Sequence, residues 1–439
     1  MKMKIKKSSL AIAAAMLSSG FSMQAQAAGF ALIEFSASGM GNAFAGAAAT
    51  AEDASTVQFN PAGMTLLGSD QLSGVFHVIL PSAEFNNNGS STAFGSGDLS
   101  GAEDNGGRNA FVPNFYWVKQ LDNDAAFGLS VTTPFGLATQ YDDNWVGRYH
   151  AVESDVKTIN INPSFSARVS DKLLLGAGLN IQYIDVTLSS AVDFGSFLGA
   201  PQAIDGFAKL TGDDISVGWN IGMMYEFTPQ TRMGLSYRSQ LKHKVTGDAD
   251  FTVPGAAAGL TAAGIFVDTG LQATITLPDS LSAGVSHKMD DELTLLAGAT
   301  WTGWNKFDEL RIIYDNPAQP NSVTTEGWQN SLRFSVGANY KMSDQLKLRG
   351  GIAVDNTPVP SAERRTARVP GDNRKWLSVG AQYQLDKNMT IDIGYSHLFV
   401  DNTKVNNTFE SSVPALNATL SGSYNAEVDI LSAQLSWKY

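Results

Sequence analysis

The chain ends "LSAQLSWKY", Leu431 to Tyr439, and this stretch sets the class of fold. Leu431, Ala433, Leu435, Trp437 and Tyr439 fall on one side of an extended backbone, and Ser432, Gln434, Ser436 and Lys438 on the other. A period of two with one apolar and one polar face marks a β-strand lying between two different media. A helix would repeat its faces every ~3.6 residues instead. The final residue is an aromatic in the apolar register.

The same alternation recurs upstream. Leu377, Val379, Ala381, Tyr383 and Leu385 form one stripe, and Met389, Ile391, Ile393, Tyr395 and Phe399 the next. Leu332 to Tyr340 and Val217 to Phe227 alternate in the same way. Between some strands lie very short polar turns: "LDND" (Leu121 to Asp124), "VSDK" (Val169 to Lys172), "TPQT" (Thr228 to Thr231), "KMDDE" (Lys288 to Glu292), "MSDQ" (Met342 to Gln345) and "LDKN" (Leu385 to Asn388). Between the others lie long segments such as Asn86 to Asn109, Ser190 to Asp214, Thr246 to Gln272 and Asp401 to Ser423. Short and long connections take turns, as they do in a transmembrane barrel with tight periplasmic turns and long external loops. A water-soluble β-sandwich gives no such asymmetry. The expectation is an all-β, fourteen-stranded antiparallel transmembrane barrel from about Asp70 to Tyr439, with both barrel ends periplasmic. Its aromatic last strand is the end expected to meet the barrel-assembly machinery.

Composition agrees with this. No segment is apolar for the ~20 residues a spanning helix needs. A 43 % hydrophobic content therefore suits a wall in which only alternate residues meet lipid. The chain opens with Lys2, Lys4, Lys6 and Lys7, an apolar run from Leu10 to Leu17, and Ala25-Gln26-Ala27. That is the pattern of a secretory signal peptide over residues 1–27, cut after Ala27. The absence of Cys excludes disulfides and Cys-based metal or nucleophile sites. A net charge of −12 argues against a nucleic-acid partner. No cofactor or metal is expected.

Residues 28–69 carry no strand period. This Gly/Ala-rich segment is too small for a core of its own, and the barrel lumen is the place to bury it. It ends in "EDASTVQFNPAGMTLL", where Asn60, Pro61 and Ala62 interrupt the backbone. Asn can bond its own backbone there, and Pro cannot extend a ladder. The organisation expected is thus 1–27 leader, 28–69 hatch, 70–439 barrel. "SGMGNAFAG" is not a phosphate loop, because Gly39, Gly41 and Gly46 miss the required spacing.

Three groups of residues are candidates for function. Pro134, Phe135 and Gly136 follow the alternating part of the third strand, and Pro with Gly there predicts a kink or bulge. Two external segments are unusually apolar: Phe194, Phe197, Leu198 and Phe207 in one, Phe251, Leu260 and Phe266 in the other. Such patches mark either an apolar binding groove or two loops packed together. Basic residues that could hold a carboxylate, by the bidentate fork of Arg, include Arg333, Arg349, Arg365 and Arg374; Lys347, Arg364 and Arg368 belong to the same wider set. The five His are scattered, with no grouping to support a hydrolase.

In these residues the chain resembles the FadL-type long-chain fatty-acid transporters of Gram-negative outer membranes. The resemblance covers essentially the whole mature chain. It is strongest at "AGFALIEFSASGMGNAFAG", "EDASTVQFNPAGM", "TTPFGLATQY" (Thr132 to Tyr141) and "DNTPVPSAERRTARVPGDNRKWLSVG" (Asp355 to Gly380). It implies a plugged barrel that takes up fatty acids passively. Substrate would land among external loops, then move to a pocket beside the hatch N-terminus, at Ala28, Gly29 and Phe30. A hatch shift and a third-strand kink would open a side passage into the membrane. Monoaromatic or other hydrocarbons are the alternative substrates. A hydrophilic porin, an adhesive barrel and a membrane-embedded lipid hydrolase are the other classes weighed. The partners implied are hydrophobic small molecules, outer-membrane lipid and lipopolysaccharide.

Overall fold

The computed structural model describes residues 29–93 and 97–439. The expected leader, residues 1–27, and Ala28 lie outside the described residues. Fourteen antiparallel staves close on themselves. They begin with β1 (Gln71–Asn87), β2 (Ala110–Gln120) and β3 (Ala125–Thr132 continued by Gly136–Gln140). Then come β4 (Glu153–Arg168), β5 (Leu173–Asp193) and β6 (Asp205–Thr228). Each of the next four staves is made of two pieces: β7 (Thr231–Arg238, Leu241–Thr252), β8 (Thr269–Leu277, Ser280–Lys288), β9 (Leu293–Thr302, Glu309–Tyr314) and β10 (Ser322–Thr325, Ser331–Lys341). The wall ends with β11 (Leu346–Asp355), β12 (Arg374–Gln384), β13 (Met389–Val400, Thr403–Thr408) and β14 (Thr419–Lys438). β14 returns to β1 through pairs running from Gln71↔Lys438 to Asn87↔Gly422, so no edge is left open. Closure removes the open sheet edge that a lipid environment does not tolerate.

Alternation sorts the two faces. In β1 the side chains of Ser73, Val75 and His77 are buried in the lumen while Phe76 and Val78 point outward. The outer face is a band of exposed large apolar residues, including Ile159, Ile161, Phe165, Val217, Ile352 and Ile393. In water such a surface would be untenable; in a bilayer it is the solvated side.

Staves β3, β7, β8, β9 and β10 break at the outer end of their lower piece. Those pieces hold 8, 8, 9, 10 and 11 residues, close to the ~9–11 residues a tilted strand needs to cross a bilayer. Above the breaks the wall continues as strand into the long-loop side. Here the structure corrects the expected loops. β5 runs on to Asp193 and β6 starts at Asp205, so most of Ser190 to Asp214 is ladder rather than loop. The ends of Thr246 to Gln272 and of Asp401 to Ser423 are likewise strand, with a true loop between them. Beyond the membrane both faces of a strand are wet, and the apolar alternation that reveals it fades.

The segment before β1 lies inside the barrel. It folds as a short helix α1 (Ala37–Met40), capped by the Ser36 hydroxyl, a second, α2 (Thr56–Phe59), and a 3-10 turn over Pro61–Leu66. Ala37, Met40, Ala49, Val57, Ala62 and Met64 are essentially inaccessible.

Candidate functional site

The lumen is narrow, and the plug backbone touches the wall directly. Where it does so the wall residue is Gly. A Cβ on Gly234 would sit 1.8 Å from the Ala48 carbonyl oxygen, and one on Gly222 would sit 2.0 Å from Asn60 Oδ1. Gly176 faces Ala62 N, Gly351 faces Asn42, and Gly380 faces Gly41 Cα in the same way. These glycines come from β5, β6, β7, β11 and β12, so the plug rests in a groove cut into the wall around much of its circumference.

Asn60 fastens it. Its amide nitrogen lies within hydrogen-bonding distance of the carbonyls of Ala48 (2.7 Å), Met223 (3.0 Å) and Leu235 (3.2 Å), while its Oδ1 accepts from Ala62 N (3.2 Å). Met223 and Leu235 belong to β6 and β7. Pro61 starts the 3-10 turn, where a missing N–H costs nothing. On the other side of the lumen Glu52 accepts from Arg349 Nη2 at 2.7 Å, and Arg349 also pairs with the fully buried Asp392.

The start of the plug is held at the break in β3. Between the pairs Thr132↔Asn160 and Gly136↔Lys157, three residues of β3 face two of β4. This one-residue excess is a bulge. Thr158 Oγ1 donates to Phe135 O (2.7 Å) and accepts from Phe135 N (3.0 Å). The freed edge of β3 pairs with the plug: Leu32 N donates to Pro134 O (2.9 Å) and Gly136 N to Phe30 O (3.0 Å). On the other flank the β2–β3 ladder stops at Phe115↔Val131 and reappears only as the single bridge Gly107↔Thr139. Asn114 sits in that gap, donating to Glu34 O (2.8 Å). The wall between β2 and β3 therefore has a window, lined on its inner side by the plug.

Phe30 fills the centre of an aromatic box. Its ring lies edge-on to Trp304 (4.8 Å between centroids), Trp328 (5.8 Å), Phe307 (5.9 Å) and Phe135 (6.1 Å). Trp304 and Phe307 come from the break in β9 and Trp328 from the break in β10. Gly29 has φ +61, and a Cβ there would meet Trp328 at 2.7 Å, so only Gly turns the chain into the box.

Above Phe30 lies an almost wholly apolar pocket of about 80 Å3. Phe30, Leu137, Val186, Val245, Ile275 and Phe307 are among its walls. A larger cavity of about 200 Å3 lies nearer the loops, lined by Phe197, Phe251, Ile265, Phe266 and Tyr314. The two share Leu188, Leu210, Leu310, Ile312, Glu326, Thr366 and Arg368 as a common wall. Arg368 stands at that junction with no ion-pair partner among the described residues. It donates to Glu153 O and Ser154 Oγ, both at 2.9 Å, and to Ser189 O. Burial lowers its pKa to about 10, so it remains a cation. Burial pushes Glu326 up to about 7, against the Trp328 N–H it accepts (2.8 Å) and the nearby Arg368 charge.

The residues singled out from sequence thus fall in several places. Phe30, Pro134, Phe135 and Gly136 come together at the box and bulge. Phe194, Phe197, Phe251, Leu260 and Phe266 pack on one another, and three of them line the outer cavity. Leu198 is exposed, and Phe207 packs against a different cluster built on Trp145 and Tyr141. Arg349, Arg365 and Arg374 are each paired within the protein, to Asp392 and Glu52, to Asp372 (2.9 Å), and to Asp355 (2.6 Å). Arg333 is in no ion pair among the described residues; it donates to Ala43 O and stacks over Trp376. Sequence reasoning passed over Trp304, Phe307, Trp328 and Glu326. Their signal was the clustering of aromatics in "WTGWNKF" and "TEGWQN", where no period of two survives. Among the described residues no group of His, Asp and Glu is arranged to hold a metal ion.

Comparison with known proteins follows from this geometry. Residues 18–439 match the family model described as outer membrane protein transport protein (OMPP1/FadL/TodX). The long-chain fatty acid transport protein of Escherichia coli K12 is 30 % identical over 434 residues, spanning 91 % of this chain and 93 % of the relative. The 47 kDa outer membrane protein of Pasteurella multocida is 34 % identical, over 92 % and 94 % of the two chains. The crystal structure of a Pseudomonas aeruginosa FadL homologue superposes with a TM-score of 0.85 at 25 % identity, covering 94 % of this chain and all of that one.

Proposed function

This chain belongs to the OMPP1/FadL/TodX family of outer-membrane transport proteins, and on that premise we propose that it admits long-chain fatty acids by a relay of three stations. The family and fold are those of passive transporters of hydrophobic small molecules in the Gram-negative outer membrane, not of enzymes.

The observation that carries the reading is Arg368. It is a half-buried cation at the junction of an apolar pocket and a larger, partly polar cavity, its donors parked on neutral oxygens, with Glu326 nearby but no acid in an ion pair with it among the described residues. An uncharged hydrocarbon has no use for it, and burying a lone guanidinium is costly. A fatty acid supplies the missing carboxylate in bidentate form and an alkyl chain for the walls. The acyl chain enters among Phe197, Phe251 and Phe266, and the carboxylate is captured at Arg368. The tail then fills the pocket above Phe30. Displacing Phe30 withdraws Leu32 and Phe30 from the β3 edge. That unlines the β2–β3 window, and the substrate leaves sideways into the bilayer. In this scheme residues 29–33 are the moving part of the hatch, and Asn60-Pro61-Ala62 is its fixed seat.

The test compares oleate with toluene for binding to the purified protein and to Arg368→Gln. Loss of a charge-assisted pair lowers oleate affinity on the order of tenfold or more and leaves toluene unchanged. Equal oleate affinity in the two proteins removes the carboxylate assignment.

A further inference from the structure

Glu326 touches both ends of the proposed relay. Its Oε2 accepts from Trp328 Nε1 at 2.8 Å, and Trp328 is part of the box that seals the hatch tip. The Trp328 ring lies 5.8 Å from that of Phe30, and so close to Gly29 that a Cβ there would meet it at 2.7 Å. On its other side Glu326 lines the wall shared by the inner pocket and the outer cavity, together with Arg368. Each of these two feels the other's charge. Arg368 is the charge that most favours the ionised form of Glu326, and Glu326 the one that most favours the ionised form of Arg368. The other charges that bear on Glu326, Arg364 and Glu410, are paired with each other at 3.0 Å. Backbone bonds pin the segment to the break in β9. Glu326 N and Gly327 N both donate to Asp308 O (2.8 Å), and Trp328 N donates to Phe307 O (3.3 Å). The carboxyl thus stands, buried, between a cation at the head-group station and the indole against which the hatch tip rests.

We propose that Glu326 is the positioning residue that couples the head-group seat at Arg368 to the aromatic box around Phe30. The inference rests on the fatty-acid reading above. A substrate carboxylate at Arg368 brings a second anion to one cation inside an apolar neck. Two carboxylates sharing such a site do not both stay ionised cheaply, and burial already lifts the Glu326 pKa to about 7. Glu326 therefore takes up a proton from solvent as the substrate binds. A neutral acid is a weaker acceptor than a carboxylate, so the hold on the Trp328 N–H slackens. The ring that Gly29 and Phe30 rest on loosens with it. The head group in this way prepares the tip for displacement by the tail. The coupling is reciprocal, so a loosened tip in turn favours the bound acid.

The experiment uses full-length protein in nanodiscs with dodecanoate and, as a probe of equal tail and no charge, its methyl ester. Calorimetry near neutral pH, in two buffers of different ionisation enthalpy, reads the protons taken up on binding. Wild-type protein is expected to take up protons with dodecanoate and none with the ester. Glu326→Gln, which keeps an acceptor oxygen for Trp328, is expected to bind dodecanoate with no uptake. Hydrogen exchange at the Leu32 and Gly136 amides reads the tip. In wild-type protein dodecanoate should speed it on the order of tenfold more than the ester does; in Glu326→Gln the two ligands should act alike. Heat-modified gel mobility checks that the variant is a folded barrel. Dodecanoate that binds without proton uptake, or that keeps its excess over the ester in Glu326→Gln, overturns the coupling and leaves the fatty-acid reading standing. No dodecanoate binding to the wild-type protein overturns both.

Discussion

Phe30→Ala is the sharpest perturbation of the hatch tip. Phe30 is 8 % exposed and touches four aromatic rings. Truncating a buried Phe to Ala costs about 3–5 kcal/mol. What still holds the tip are two backbone hydrogen bonds to the β3 bulge, Leu32 N to Pro134 O and Gly136 N to Phe30 O. Each is worth about 0.5–1.5 kcal/mol, so together they are weaker than what is lost. The tip should come off the wall while the Asn60 seat, with its own wall contacts, stays. Native-state hydrogen exchange reads this site by site. The amides of Leu32 and Gly136 should exchange about two to three orders of magnitude faster, since ~1.4 kcal/mol is a factor of ten. The amides of Ala62 and Gly63, behind the seat, should be unaffected. Unchanged exchange at Leu32 and Gly136, or equal acceleration across residues 29–66, would refute a division between moving tip and fixed seat.

Other consequences follow from the same geometry. Gly234→Val places side-chain atoms where the Ala48 carbonyl lies; the barrel should still assemble, with residues 40–65 newly open to protease. Arg349→Met leaves Asp392 buried without its cation, which costs about 3–5 kcal/mol and should lower the thermal midpoint. Glu326 titrates near 7 because burial opposes its charge. It is mostly neutral at pH 6 and mostly ionised at pH 8, where it competes with substrate for Arg368. Oleate affinity should therefore fall as pH rises from 6 to 8, and Glu326→Gln should flatten that slope; a slope of the same size in the variant would assign it elsewhere.

The barrel was legible because lipid imposes a strict rule. One face of each spanning piece must be apolar, and "LSAQLSWKY" obeys it to the last residue. The turns were legible because tight hairpins leave few residues to choose from. Above the membrane the rule lapses, and Ser190 to Asp214 looked like loop although β5 and β6 pair through it to Asp193↔Asp205. Pro134 and Gly136 marked the bulge in advance, since few residues disrupt a ladder so directly. Pro278 offered the same signal in β8 and was passed over. The arginines were not separable from sequence. Whether Arg349 pairs with Asp392 while Arg368 stays out of any ion pair among the described residues depends on register and on the path of the 356–373 loop, which no local pattern encodes. The glycine groove was equally hidden. Gly222 and Gly234 are ordinary strand residues until the hatch backbone is laid against them.

Uptake itself bears most directly on the whole scheme. The gene is expressed in a Gram-negative host that lacks its own outer-membrane fatty-acid transporter, and import of radiolabelled oleate is followed beside that of toluene. Oleate import should rise well above the host background, and Arg368→Gln should cut it at limiting oleate, with the barrel present at equal level in the outer membrane. Oleate import no greater than background, or import indifferent to Arg368→Gln while toluene import rises, would contradict it.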